Sequence, residues 1–468
     1  MTALHNRPGT PRVHRIPFPT VDEVTRHCAQ EEEPETVHIE VHLPGRLEPD
    51  RLRAAFGEAL RRHPRVLMRE VPGSWWRRRY EWQLTGAPDT DPVSFPKPGP
   101  DALATARERA LAICPPLDSA PPIRLEAIVG GATGEGEGTV LVITINHTAL
   151  DGPACLRILA TAAELYARGG PNGGTGHAAS PPPEAPADTP AVAPYPGPTA
   201  VPAPSSTPGL GLTRPARIAP DTHRARVGNA MRLLELPVPA RPPRTTVTPV
   251  PYTVNDQLLV AACLMSARWN RLHDRPSSPV RITMPVDDRP RGTTEMPIGN
   301  GTRLVEVGFG PEERADATLL TADTPHPAAV SRLLHRTAER TRALKAAPRA
   351  QLGPAGALLT APVLPVGLRG TLTRGVRRVA APWASTTLVS NIGRIAYPLD
   401  FGDAGLPTAV WFSAPARMPR GLTVTTVSVD GRLHVALRWS RALLDDEAGA
   451  TLGAIFSRSL AATSWSPS

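Results

Sequence analysis

The residues best suited to chemistry lie in one stretch, ITINHTALDG, which runs from Ile143 to Gly152. A run of apolar and β-branched residues ends at His147, and Asp151 follows four residues later. A neutral imidazole can take a proton from an alcohol or an amine near neutral pH. Asp151 can either orient that imidazole or hold the loop through an ion pair with an arginine. A single histidine in an apolar setting is more often a packed, hydrogen-bonded residue, so both interpretations of His147 stay open here.

Other catalytic signatures are missing from the sequence. It has no H-E-x-x-H, no G-x-S-x-G, no Walker A loop and no Cys/His set with metal-ligand spacing. The four cysteines are far apart in sequence, which favours small buried side chains in a reducing compartment over a metal or redox pair. We therefore expect no metal site and no permanently bound cofactor, and we predict a cytoplasmic protein.

The charge of the chain points to an anionic partner. Its 468 residues carry a formal net charge of +9, which suits nucleic acid, phospholipid, a phosphorylated cofactor or an acidic carrier protein. The densest aromatic and basic patch, from Ser74 to Tyr80, has no nucleic-acid-binding motif beside it, so we do not expect nucleic acid. No uncharged apolar run approaches the length of a membrane span, and we predict no transmembrane segment.

The elements around the His147 stretch predict how it is positioned. Val37 to Leu43 alternates as a half-buried strand does, and a helix follows from Asp50, its predicted N-cap, to Arg62. A glycine-rich hairpin loop at 130–138 leads into a buried strand from Thr139 to Ile145. Because Pro153 to Arg168 has the periodicity of an amphipathic helix, His147 is predicted to lie between a strand and a helix.

The rest of the chain is divided by a proline-rich segment. Residues 169–222 cannot bury enough apolar surface to offset their ordering entropy and are predicted to form a disordered or polyproline-like linker. Beyond it, the strongest helix runs from Thr253 to Leu272, capped by Thr253 or Asn255. Further strands are predicted at 280–286, 302–307, 386–393 and, as a hairpin, 422–439, and further helices at 326–345 and 445–461.

These segments carry a resemblance. NHTALDG is similar to the H-x-x-x-D-G motif of the superfamily of chloramphenicol acetyltransferase, nonribosomal peptide condensation domains, polyketide-associated acyltransferases and bacterial wax ester synthase/diacylglycerol acyltransferases. The motif alone is a weak match, but the order of the other pieces strengthens it. The successive pieces are the early helix ending in RHP at Pro64, TVND from Thr253, MPVDDRP from Met284, IGN from Ile298 and VSNIG from Val389.

The resemblance implies a two-part α/β fold. Each half is expected to be similar to a chloramphenicol acetyltransferase subunit, with a mixed sheet, flanking helices and an active-site tunnel between the halves. The expected division is an N-terminal half at 1–168 that carries the motif, the linker at 169–222 and a C-terminal half at 223–468. We expect a monomer.

The resemblance also implies roles for particular residues. His147 is expected to be the general base, whereas Asp151 and Gly152 are expected to be structural, with Arg289 as the ion-pair partner of Asp151. Arg289 can instead be a surface arginine in a charged turn. Ser390 and Asn391 are expected near the thioester, where they can support an oxyanion, although they can also simply end a strand.

The function implied is acyl transfer from a thioester to a hydroxyl or amine, in lipid or secondary-metabolite biosynthesis. The donor is acyl-CoA or an acyl group on a phosphopantetheinyl carrier protein, which acts as co-substrate. A catalytically silent protein of this fold that binds a carrier protein or a small molecule is the alternative. Asn146 stands where many relatives have a second histidine, and we treat it as a possible substrate contact. The missing proline in SNIGR, at Ser390 to Arg394, favours the polyketide-associated or free-standing condensation type over the wax ester synthases.

Overall fold

A computed structural model describes residues 14–30, 32–130, 138–169, 213–243, 251–289, 297–322, 325–347 and 352–465. The elements up to residue 169 come first. They are β1 Arg15–Pro17, α1 Thr20–Cys28, β2 Thr36–Leu43, α2 Pro49–Arg62, β3 Met68–Glu70, β4 Glu81–Leu84, β5 Val93–Ser94, α3 Ala102–Ala112, β6 Ile123–Val129, β7 Thr139–Asn146 and α4 Gly152–Arg168.

The second part of the chain contributes a similar number of elements. They are β8 Asn229–Pro237, α5 Val254–Leu272, β9 Val280–Asp287, β10 Thr302–Phe309, α6 Thr318–Thr321, α7 Pro327–Ala346, α8 Gly353–Leu359, α9 Val366–Ala380, β11 Thr387–Arg394, β12 Ala409–Ser413, β13 Leu422–Val429, β14 Arg432–Ser440 and α10 Asp446–Ala461.

The first lobe is built on a five-stranded sheet in the order β12-β2-β7-β6-β5. All eight residues of β7 are buried, because antiparallel neighbours flank it on both edges and the sheet is covered on both faces. Leu52, Phe56 and Leu60 on the inner side of α2 share one apolar core with this sheet and with α4. The strand that leads to His147 is therefore the most completely buried strand of this sheet.

The second lobe has a six-stranded sheet in the order β10-β9-β11-β13-β14-β8. β11 is central and runs parallel to both of its neighbours, whereas the outer pairs are antiparallel. The helices α5, α7 and α10 pack their apolar residues against this sheet in a second core. Both sheets are mixed and flanked by helices, so the predicted α/β class is confirmed.

The two lobes share a strand. β12 belongs to the second part of the sequence, yet it pairs with β2 at the edge of the first sheet. Arg438 of β14 strengthens the same junction: it is fully buried and donates hydrogen bonds to the backbone oxygen and the hydroxyl of Thr36, at 2.7 and 2.9 Å. Strand sharing and a buried arginine therefore tie the lobes together beside the end of β7.

Two details differ from the sequence predictions. The N-cap of α2 is Glu48 rather than Asp50, because the Glu48 carboxylate accepts from the backbone amides of Asp50 and Arg51 and Pro49 occupies the first turn. Ala216, Ile218 and Ala219, which fall within the predicted linker, are buried in the second core. Residues 170–212 of the predicted linker and residues 131–137 of the predicted hairpin loop lie outside the described residues.

Candidate active site

A cavity of about 650 Å³ lies between the two lobes. His147, Asp151 and Gly152 line it from the first lobe, whereas Asn300, Ser390 and Asn391 line it from the second. The cavity wall is therefore built from segments that are far apart in sequence, and it includes His147, the residue that follows the fully buried strand β7.

His147 is the first residue after β7, at the cavity wall. Its backbone N–H donates to the Glu35 carbonyl at 2.7 Å. Glu35 immediately precedes β2, so this hydrogen bond continues the pairing of β7 with β2 one residue beyond the strands. In the ring, Nδ1 lies 3.0 Å from the Leu150 carbonyl oxygen. A carbonyl can only accept, so Nδ1 carries the proton and the neutral ring presents Nε2 as a proton acceptor.

Asn146 stabilises the loop and does not line the cavity. Its Nδ2 donates to the Pro115 carbonyl at 2.9 Å, and its Oδ1 accepts from the backbone N–H of Thr148 at 3.0 Å. Its own carbonyl accepts from Ala149 and Leu150. Both ends of the side chain contact backbone groups, so Asn146 shapes the turn that carries His147. Its contact with substrate stays a prediction.

Asp151 serves the loop and the lobe interface rather than the imidazole. It is the N-cap of α4, with Oδ1 accepting from Ala154 N–H at 3.0 Å. Its Oδ2 accepts from Arg289 Nη2 at 2.7 Å and from the Gly301 N–H at 2.9 Å. The Asp151 carboxylate therefore accepts hydrogen bonds from three donors, which come from both lobes. The imidazole of His147 has a different partner, the Leu150 carbonyl.

Arg289 lies at the end of β9 and is almost fully enclosed. The exposed fractions of the Arg289 and Asp151 side chains are 9% and 3%. Arg289 also contacts Asp287, with Nε 2.8 Å from Oδ1, and donates from Nη1 to the Gly299 carbonyl at 3.1 Å. Burial by itself lowers the pKa of the Arg289 guanidinium, but the Asp151 and Asp287 carboxylates outweigh burial and raise it. The Arg289 guanidinium therefore stays charged.

Two glycines permit these close contacts. A Cβ built on Gly152 falls inside the Phe412 ring, with Cζ only 2.6 Å away, so glycine at this position lets β12 pack against the start of α4. A Cβ on Gly301 would lie 2.5 Å from Cζ of Arg289. The Asp-Gly part of the motif thus combines a helix cap with a position at which no side chain fits.

Sequence reasoning missed two functional candidates at the same interface. Asn300 donates from Nδ2 to the carbonyl oxygens of His147 and Thr148, at 3.1 and 2.9 Å, and to Asp22 Oδ1 at 2.9 Å. Burial raises the pKa of the Asp22 carboxyl to about 7, although hydrogen bonds from Asn300 and Trp82 act to lower it. The IGN segment was the available signal for Asn300, whereas the sequence carries no comparable signal for Asp22.

Ser390 and Asn391 lie on β11, where the strand bulges between Asn391 and Gly393. The Asn391 Oδ1 accepts from Gly393 N–H at 2.9 Å and from the Thr426 hydroxyl at 3.0 Å. Its Nδ2 is therefore the group that remains to donate, and the Ser390 hydroxyl lines the same cavity. Both residues therefore lie within the strand, at a bulge rather than in a turn at its end, and both line the cavity. Their support of an oxyanion stays a prediction.

Neither a metal-binding cluster nor a membrane-spanning helix is found among the described residues. No group of three or more His, Cys, Asp or Glu side chains there has the arrangement to hold a metal ion. Among the same residues, no helix combines the length and apolarity needed to span a membrane. Cys155 and Cys263 are buried, and burial raises the pKa of the partly exposed Cys114 thiol to about 12.

Comparison with solved structures identifies the fold. Trichothecene 15-O-acetyltransferase from Fusarium sporotrichioides superposes with a TM-score of 0.61 and 10% identity, covering 96% of both chains. The starter condensation domain of rhizomide synthetase, in complex with C8-CoA and Leu-SNAC, gives 0.58 and 13% identity, covering 94% of this chain and 93% of that one. This chain therefore has the same fold as the trichothecene acetyltransferase and the starter condensation domain.

The condensation fold extends over nearly the whole chain. The first condensation domain of the CDA synthetase gives a TM-score of 0.57 at 15% identity and covers 97% of each chain. In sequence, an uncharacterised protein of Mycobacterium tuberculosis strain H37Rv is 27% identical over 432 residues, covering 90% of this chain and 93% of the relative. No family model matches the sequence. The predicted superfamily resemblance is thus confirmed at the level of the fold.

Proposed function

We propose that this condensation-fold protein is an acyltransferase that moves an acyl group from a thioester to a hydroxyl or an amine. The observation that carries the proposal is the state of His147: its Nδ1 is bound to the Leu150 carbonyl, so the proton-accepting Nε2 belongs to a ring on the cavity wall. The solved structures of the same fold, which include an acetyltransferase and condensation domains, support acyl transfer as the reaction class.

The reaction follows from these groups. His147 Nε2 takes the proton of the acceptor O–H or N–H as the heteroatom attacks the thioester carbonyl carbon. The tetrahedral oxyanion then collapses, the carbon–sulfur bond breaks, and the proton held on Nε2 passes to the departing sulfur. The products are an ester or amide and a free thiol. The Ser390 hydroxyl and the Asn391 Nδ2 are the candidate donors to the oxyanion.

Asp151, Arg289 and Asn300 act through the position of His147. Asp151 fixes the start of α4 and the second-lobe segment at Gly301, and Asn300 binds the carbonyl of His147 itself. Since each contact joins the loop to the opposite lobe, relative movement of the lobes would displace the imidazole. We infer that these residues position the base and do not exchange protons with the substrate.

Cationic side chains support a phosphate-bearing donor. Arg377, Arg394, Arg417 and Arg420 line the cavity, and Arg394 is exposed. Arg417 is neutralised by Glu35, which leaves the others to favour an anionic ligand. Coenzyme A and a phosphopantetheinyl arm both carry phosphate, and one of the solved condensation domains was crystallised with C8-CoA. We therefore propose acyl-CoA or a carrier-bound acyl group as the co-substrate.

Thiol release from a panel of thioesters tests the proposal. The purified chain is incubated with acyl-CoA donors of increasing chain length and with acylated carrier protein, together with an alcohol and amine acceptor mixture. We expect thiol release from at least one donor and a matching ester or amide by mass spectrometry, neither of which occurs with heat-denatured protein. Release without any acylated product would indicate a thioesterase. No release from any donor would favour the silent, ligand-binding alternative.

A further inference from the structure

The helix α9 is packed in an unusual orientation. The side that faces the protein carries Val366, Arg369, Gly370 and Thr373, which are all buried. The opposite side carries four aliphatic side chains at a spacing of four, four and three residues, each between 46% and 75% exposed: Leu368, Leu372, Val376 and Val379. A helix on a protein surface normally buries such a stripe and exposes its polar residues.

Specific contacts hold α9 in this orientation. Arg369 is buried in an ion pair with Glu23 at 2.9 Å and donates to the Arg78 carbonyl at 2.7 Å. Gly370 lies so close to α1 that a Cβ there would be 2.9 Å from His27 Nδ1. Rotating the helix would expose the Glu23–Arg369 pair, so the outward position of the aliphatic stripe is built into the packing.

Further apolar side chains continue the exposed stripe. Trp75 and Trp76 are 52% and 61% exposed and stack with ring centroids 3.7 Å apart. The Trp75 carbonyl accepts from Gly367 N–H at 3.0 Å, which places this tryptophan pair at the start of α9. Leu358, Val363 and Leu364, just before the helix, are also exposed. We call the four aliphatic residues of α9 together with Trp75 and Trp76 the outer face.

The exposed charged side chains described beside the outer face are arginines, which are positive. From Gln351 to Ala384 the sequence contains four arginines and no aspartate or glutamate. Arg374 and Arg378 on α9, and Arg78 and Arg79 beside the tryptophans, are exposed and form no ion pair with an acidic residue in the described part of the chain. Isolated apolar side chains are common on surfaces, but a helix with an exposed apolar stripe flanked only by arginines has the composition of an interfacial helix.

We propose that the outer face docks onto an anionic membrane surface. Leucine and valine side chains would enter the boundary between headgroups and acyl chains, tryptophans would lie at headgroup level, and the arginines would contact anionic lipid. The C-terminal end of α9 also borders the cavity, because Arg377 and Ala380 line it. Docking would bring the cavity next to the bilayer, where long-chain amphiphiles are present at high local concentration.

Vesicle flotation of the full chain, measured without substrate, tests membrane docking separately from acyl transfer. We expect the protein to float with equimolar phosphatidylcholine and phosphatidylglycerol and to bind much less to phosphatidylcholine alone. Binding should fall as salt is raised through the range in which surface charges are screened.

Paired variants define the contribution of the outer face. Reversing Arg374 and Arg378 to Glu should weaken partitioning at least about 30-fold, and Trp76→Ser with Leu372→Ser should also abolish flotation. Matched controls place the same changes elsewhere: Arg224→Glu with Arg226→Glu, and Leu272→Ser, all at exposed positions. The controls should bind as the wild type does. All these side chains are exposed, so melting temperatures should remain close to that of the wild type.

Three results would overturn the proposal. The first is wild-type protein that does not float with anionic vesicles. The second is flotation unaffected by the outer-face variants. The third is a different occupant: binding to a purified acidic carrier protein, or concentration-dependent self-association, that is lost in the outer-face variants while vesicles are not bound.

Discussion

Removal of Arg289 should destabilise the protein much more than removal of an arginine from an exposed ion pair. The Arg289→Ala change leaves Asp151 and Asp287 buried without their guanidinium, with exposed side-chain fractions of 3% and 10%. Breaking one side of a buried ion pair costs about 3–5 kcal/mol. For lobes of this size that corresponds to a melting temperature lower by roughly 6–20 °C.

A matched control is available in the same chain. Arg432 and Glu235 form an ion pair at 2.8 Å, almost the same separation as the 2.7 Å between Arg289 and Asp151, but their exposed fractions are 50% and 48%. Because solvent screens exposed pairs, Arg432→Ala should cost less than about 1 kcal/mol. Burial is the difference between the two pairs, so the contrast isolates its effect.

A double-mutant cycle measures the coupling directly. Asp151→Ala, Arg289→Ala and the double variant are compared with the wild type by thermal unfolding. Contacting charges typically couple by roughly 0.5–3 kcal/mol, so the double variant should lose clearly less stability than the sum of the single losses. A loss for Arg289→Ala no greater than that for Arg432→Ala, or fully additive single losses, would refute the inference that this pair joins the lobes.

Three further changes probe the loop that carries His147. Gly152→Ala should cost about 1–3 kcal/mol in chemical denaturation, because its Cβ meets the buried Phe412 ring, and Phe412→Leu should recover part of the loss. Asp22, with its pKa raised by burial to about 7, stays protonated in the folded state while the unfolded chain ionises, so stability should fall as pH rises from about 4 to 7. Between pH 5 and 8 the free energy of unfolding of the wild type should therefore fall by about 2–3 kcal/mol more than that of Asp22→Asn. Parallel profiles of unfolding free energy against pH for the two proteins would contradict this. Asn300→Ala should lower kcat about tenfold to hundredfold with little change in KM, because the loss frees the His147 carbonyl and lets the imidazole shift; an effect on KM alone would argue for a binding role.

The sequence predicted the elements that obey a simple periodicity. β7, α4 and α5 have continuous or regularly spaced apolar residues, and each is present close to its predicted bounds. β12 and α9 were not predicted, for different reasons. β12 is a five-residue strand whose partner, β2, lies far away in sequence, so local spacing gives no signal for it. The aliphatic residues of α9 do have helical spacing, so the helix was predictable, but its orientation, with that side toward solvent, was not.

The candidate site was predictable only where a local motif marks it. His147, Asp151 and Gly152 stand within six residues, and Arg289 was placed by resemblance. The contact of Asp22 with Asn300 joins residues 278 positions apart, and the contact of Gly152 with Phe412 depends on a strand exchanged between lobes. Spacing in sequence carries no information about such pairs. Asn146 shows the converse case, since it lies beside His147 in sequence but is not among the residues that line the cavity.

The role of His147 as base is tested most directly by His147→Ala, measured with a donor that the wild type turns over. The ring is half-buried and its one described hydrogen bond is to the Leu150 carbonyl, so the variant should fold with a melting temperature close to that of the wild type. Loss of a general base typically lowers the rate by about 10²–10⁴-fold, and we expect thiol release to fall by that factor. A folded His147→Ala protein that releases thiol and forms product at the wild-type rate would contradict the mechanism.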